Sequence, residues 1–149
     1  MSQHHKLSLS VQYATLAKRV PTRQQFRRWV KAALRRDLIC TLRVVNESEG
    51  RKLNHAFRNK EYATNVLTFV YDDMGTLSGD IVICAPVVAR EAVEQGKLLV
   101  AHYAHMTIHS ILHLQGYDHI NKTDAALMEE LETALMIKLG YPAPYVVNI

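Results

Sequence analysis

The chain has 149 residues and a mass of 17.0 kDa, with 48% hydrophobic and 21% charged residues. That is one domain's worth of ordinary globular sequence, too short for two cores and too apolar for a disordered chain. No apolar run reaches the ~18 residues of a membrane-spanning helix, and the opening MSQHHKLSLS has no apolar stretch of the kind a secretory leader carries.

The expectation is therefore a single domain over residues 1–149, with no membrane partner and a cytoplasmic location. Two cysteines, Cys40 and Cys84, lie in apolar runs and read as buried thiols of a reducing compartment. The formal net charge of +4 is unevenly spread: residues 1–58 carry 13 Lys and Arg against 3 Asp and Glu, and residues 59–149 carry 5 against 11. A strongly basic first part is the footprint expected of a polyanion partner, although a solvated basic surface has the same composition.

In chain order, Leu7 to Tyr13 alternates apolar and polar residues, the pattern of a half-buried strand. Pro21-Thr22 opens a helix on which Phe26, Trp29, Val30, Ala33 and Leu34 recur at helical spacing, with Arg23, Arg27, Arg28, Lys31 and Arg35 on the other face. Leu38 to Val45 reads as a strand, and Glu47 to Phe57 as a helix with Leu53 and Phe57 facing the same way. Val66 to Tyr71 and Asp80 to Cys84 are short strands joined by a turn-like DDMGTLSG, in which Asp80 beside Gly79 reads as a turn residue. Helices follow from about Pro86 to Gln95 and from about Leu98 to Leu114, the second stopped by Gly116. A last amphipathic helix runs from Asp124 to Leu139 and ends at Gly140 and Pro142. Early strands and late helices predict an α+β fold, with helices packed against a small mixed sheet of about four strands.

The chemistry concentrates between His102 and His119, which hold five of the chain's eight histidines. His109 and His113 are four apart and share a helix face about 6 Å apart along the axis. Gly116 can turn the chain back, so that His119 swings a third imidazole to the same point. Three neutral imidazoles with an open fourth position are the layout of a catalytic zinc site on a helix and its following turn. His102 is too far along the helix to co-ligate with His109, and His105 reads as structural or as a support for the ligands. Metzincin proteases share this spacing of three histidines and a glycine. They also need a glutamate directly after the first histidine as general base, and here that place is Ser110, which disfavours a peptidase.

The run His109-Ser-Ile-Leu-His113-Leu-Gln-Gly116-Tyr117-Asp118-His119 closely resembles the H-G-x-L-H-L-x-G-Y-D-H signature of the bacterial YbeY endoribonucleases. Asn54 to Arg58, Thr64 to Phe69, Gly79 to Cys84 and Glu91 to Gly96 resemble that family's N-x-x-x-R, T-[DN]-V-L-S-F and G-D-I-V-I segments and the stretch after them. Ser110 stands for the signature's glycine and Thr68 for its serine. The resemblance implies a zinc-dependent, single-strand-specific endoribonuclease acting in maturation of the small-subunit (16S) rRNA 3′ end and in ribosome quality control. It implies one zinc per chain on His109, His113 and His119, with Arg58 as the catalytic arginine and single-stranded RNA, rRNA and ribosome or small-subunit-associated proteins as partners. Arg58 is expected on a neighbouring helix across a cleft from His109, offering its fork to the scissile phosphate. A His₃ zinc either acidifies a bound water or binds a non-bridging phosphate oxygen, and the sequence leaves the two open. Asp118 either orients a ligand imidazole or caps a turn. The rival readings are another metallohydrolase on this scaffold, or a non-catalytic ribosome-associated factor with a structural zinc; the latter normally needs a fourth protein ligand, and none is obvious.

Overall fold

The computed structural model describes residues 4–58, 64–117 and 121–145. Four strands, β1 (Leu7–Ala14), β2 (Leu38–Val45), β3 (Val66–Asp72) and β4 (Leu77–Cys84), form one sheet in the order β1-β2-β4-β3. β1, β2 and β4 are parallel, and β3 runs antiparallel along β4 as an edge strand. Among the described residues there are five helices: α1 (Arg23–Ala33), α2 (Glu47–Arg58), α3 (Ala85–Glu94), α4 (Leu99–Leu114) and α5 (Lys122–Lys138). The expected α+β class and mixed sheet are therefore found.

The alternation of each strand decides what lies on each face of the sheet. Leu38, Cys40, Leu42 and Val44 of β2, with Leu77, Ile81 and Ile83 of β4, face the main core built by α1, α4 and α5. Val45, Leu67, Val82 and Cys84 face the other way and meet Val87 and Leu53 in a smaller cluster. Leu53 belongs to α2, so α2 covers the face opposite α4.

α1 starts where its sequence pattern places it. Thr22 caps the helix, its hydroxyl accepting from the Gln25 backbone N–H at 3.1 Å while the Gln25 side chain accepts from Thr22 N–H at 2.9 Å. Such a reciprocal cap contributes about 1 kcal/mol. Phe26, Trp29, Val30 and Ala33 are buried, and Phe26 meets Trp29 and Tyr103 edge to face. Arg23, Arg27, Arg28 and Lys31 are exposed, as the helical spacing requires.

β4 begins three residues earlier than expected, at Leu77, and Asp80 lies mid-strand, accepting the Tyr71 hydroxyl at 2.7 Å. The glycine that suggested a turn serves close packing instead. A Cβ at Gly79 would lie 2.6 Å from the Phe69 carbonyl oxygen and 3.0 Å from the Leu114 side chain. Gly79 thus lets the end of α4 press onto β4 beside the edge strand. α5 also begins earlier than expected, with Asn121 accepting from Asp124 N–H at 2.9 Å as its cap.

Candidate functional site

α4 is packed by α1, α3, α5 and β3, and its sequence is accordingly apolar on nearly every side. From Ala101 to Leu114 every residue is buried except His109 and His113, which are half-buried. The two rings lie parallel, 6.3 Å apart with their planes 3° from coplanar in orientation. Two half-buried histidines four apart in an otherwise enclosed stretch of helix are what a ligand pair requires.

Each ring is anchored through Nδ1. His109 Nδ1 lies 3.1 Å from Glu132 Oε1, and His113 Nδ1 lies 3.3 Å from the Tyr117 carbonyl oxygen. Both acceptors are oxygens that donate nothing, so Nδ1 carries the proton in the neutral ring and Nε2 is the nitrogen with metal-ligand character. Ligand histidines in metal sites are oriented in this way, by a carboxylate or a carbonyl behind the ring. The donor chemistry of these two residues therefore fits a metal such as zinc.

The turn that follows is formed as the sequence implies. Gly116 has φ +101°, its N–H donates to His113 O at 3.1 Å, and Tyr117 N–H donates to Leu112 O at 3.1 Å. This is the left-handed helix ending that glycine adopts without a Cβ penalty. It also fixes the Tyr117 carbonyl that holds His113. Among the described residues no group of three or more His, Cys, Asp or Glu is arranged to hold a metal ion. His119, the expected third ligand, and Asp118 lie outside the described residues.

Behind the pair lies a buried polar layer. Glu132 of α5 is 1% exposed and accepts from three groups: His105 Nε2 at 2.7 Å, His109 Nδ1 at 3.1 Å and the Tyr145 hydroxyl at 2.9 Å. Burial pushes this carboxyl up, but the hydrogen bonds from His105 and His109 outweigh it and hold it down at about 2. Burial, with the Glu132 charge after it, raises the Tyr145 phenol. His102 makes a parallel contact with Glu91, Nε2 to Oε1 at 2.9 Å, and Asn65 Nδ2 donates to the same carboxylate at 3.2 Å. A cavity of about 520 Å³ lies over this layer, lined among others by Asn65, Glu91, Lys97, His102, His109 and Tyr145.

Ser110 is fully buried, and its hydroxyl bonds back to the Met106 carbonyl at 2.7 Å. The helix absorbs the serine with its polar atom satisfied. Cys40 and Cys84 are buried, free thiols. Burial first, and Asp80 second, pushes the Cys40 thiol up to about 12, and burial also raises Cys84, so neither is poised as a thiolate ligand.

Arg58 is exposed at the C-terminal end of α2. α2 packs through Leu53 on the face of the sheet opposite the one that α4 covers. Arg58 directly follows Phe57 at the end of this helix. Its neighbour Phe57 sits edge to face on Phe69 of β3 at 5.1 Å, and the chain next described reaches Asn65, in the wall of the His109 cavity.

Glu132, Glu91, Asn65 and Tyr145 do not stand out as site residues in the sequence. For Glu132 a signal was present: it occupies an apolar-stripe position of α5, between Met128 and Met136, where a carboxylate needs partners.

The sequence model of the endoribonuclease YbeY family matches residues 8–140. The chain belongs to this family. It is 58% identical over 143 residues to the endoribonuclease YbeY of Nitrosomonas europaea, covering 96% of this chain and 87% of that one. It is 55% identical over 140 residues to that of Methylobacillus flagellatus, covering 94% of each. The solution structure of TM1509 from Thermotoga maritima is similar with a TM-score of 0.59 at 24% identity, over 88% of each chain, and shares the fold.

Proposed function

We propose that this member of the YbeY family is a zinc-dependent, single-strand-specific endoribonuclease, a single domain over residues 1–149, acting at the 3′ end of small-subunit rRNA and in ribosome quality control. The observation that carries this reading is the pair His109 and His113, the two half-buried residues in the buried stretch from Ala101 to Leu114, each with Nδ1 anchored by an oxygen. His119, after the glycine turn, completes the ligand set of one zinc per chain. When bound, the metal would either acidify a bound water or act as a Lewis acid on a non-bridging phosphate oxygen.

The chain's own residues do the rest. His109 and His113 present neutral, pre-oriented rings. Arg58 offers two parallel N–H donors to a non-bridging phosphate oxygen pair, and its gain is largest as negative charge develops there. The exposed Arg23, Arg27, Arg28 and Lys31 on α1 hold the RNA backbone by displacing counterions, without reading sequence. The substrate is then rRNA held in a ribosomal context in the cytoplasm, with small-subunit-associated proteins as partners. No helix among the described residues is long and apolar enough to cross a membrane.

The test is cleavage of end-labelled single-stranded RNA and of the matching duplex by purified protein, before and after chelator treatment. Internal cleavage of the single strand, lost with chelator and restored by zinc, is expected. Cleavage that persists after complete metal removal would contradict the metal assignment, and no cleavage of any RNA would contradict the nuclease reading.

A further inference from the structure

A buried carboxylate on α5 receives more donors than packing of that helix calls for. Glu132 is 1% exposed, and a carboxylate taken so far from water is costly unless its oxygens are filled. They are filled by His105, His109 and Tyr145, at 2.7, 3.1 and 2.9 Å. Two of these donors, His105 and Tyr145, are themselves held against each other, ring edge to ring face at 5.3 Å. The third, His109, is the half-buried ring that faces the cavity. His105 and Tyr145 line the same cavity, so one buried carboxylate gathers three donors at its wall.

We propose that Glu132 is a positioning residue: through its Oε1 contact it fixes the proton of His109 on Nδ1 and aims Nε2 at the zinc, with His105 and Tyr145 locking the carboxylate in place. The inference rests on the reading of His109 as a ligand. A carboxylate behind a ligand imidazole holds both tautomer and orientation and raises the ring's basicity, and loss of such a partner typically weakens metal binding by about 10- to 100-fold. His113 takes its equivalent support from the Tyr117 carbonyl, a neutral acceptor set by the helix-ending turn. The two described ligands are therefore supported unequally: one depends on a side chain of another helix and the other on its own chain.

The test uses zinc affinity, measured by competition with a chromophoric chelator, on full-length wild type, Glu132→Gln, Leu135→Ala and His113→Ala. Glu132→Gln keeps the shape and removes the charge, and its zinc affinity is expected to fall by at least about tenfold. Leu135→Ala loosens the same helix through a core residue, and is expected to lower the melting temperature while leaving zinc affinity within about twofold. A second measurement needs no variant: the imidazole ¹⁵N shifts of metal-free wild type are expected to show His109 protonated on Nδ1. Unchanged affinity in Glu132→Gln would overturn the inference, as would an equal loss in Leu135→Ala or an Nε2-protonated His109. Failure of the underlying reading looks different: wild type would take up no zinc, or His113→Ala would bind it as tightly as wild type.

Discussion

Gln115 ties Arg35 to the end of the histidine helix: its Oε1 accepts the Arg35 backbone N–H at 2.6 Å, while its Nε2 donates to Ala33 O at 2.8 Å and Ile111 O at 3.0 Å. One side chain thus joins the last turn of basic α1 to the last turn of α4, next to Gly116. Replacing it leaves the last carbonyl of α1 and an N–H without their partner. Gln115→Ala is expected to cost about 0.5–1.5 kcal/mol of stability, read as a lower denaturant midpoint with an unchanged slope. A midpoint equal to wild type would show that this tie contributes nothing.

The exposed basic face of α1 predicts a binding effect separable from chemistry. Neutralising Arg27, Arg28 and Lys31 together is expected to weaken single-stranded RNA binding and to flatten its log–log salt dependence by up to about 2, at about 0.7 for each phosphate no longer neutralised. Single-turnover cleavage at saturating RNA is expected to survive. An unchanged salt slope would make α1 a solvated surface with no part in holding RNA.

Arg58 is expected to behave in the opposite way. Arg58→Ala should lose little affinity, being one positive charge among many, and lose about 10²–10³ in the cleavage step if it meets charge that develops there. Cleavage as fast as wild type at saturation would remove Arg58 from the mechanism.

His102 makes stability depend on pH. Burial holds its imidazole below the usual value of 6.5; the Glu91 hydrogen bond and charge oppose this, while Lys97 and His105 add to it. The unfolded chain therefore takes up a proton near pH 6.5 that the folded chain takes up only at lower pH, and stability falls as pH drops below about 6.5. His102→Gln is expected to make that fall shallower in urea titrations between about pH 7 and 5. An identical slope in the variant would contradict the assignment.

Much of this was legible in the sequence because periodicity reports burial. The stripe Phe26, Trp29, Val30 and Ala33 and the cap at Thr22 placed α1, and the 109, 113, 116 spacing placed two rings and a helix end. Other features depend on what lies across the core, which no local pattern records. Gly79 reads equally as a turn or as a strand residue until Leu114 is seen resting on it. Leu53 and Phe57 share a face of α2, but spacing does not say which side of the sheet receives it, and Phe57 ends up 66% exposed against Phe69. Glu132 shows as a carboxylate on an apolar stripe, yet its meaning comes only from His105, His109 and Tyr145, on two other parts of the chain.

The central claim is that the histidine helix and its turn hold a metal on which RNA cleavage depends. Its most direct test is the zinc content of purified wild type and His113→Ala, measured with single-turnover cleavage of one single-stranded RNA on the same samples. The account predicts about one zinc per chain and cleavage in wild type, with both lost together in His113→Ala. Equal zinc in the two proteins, or undiminished cleavage by a zinc-free His113→Ala, would contradict it.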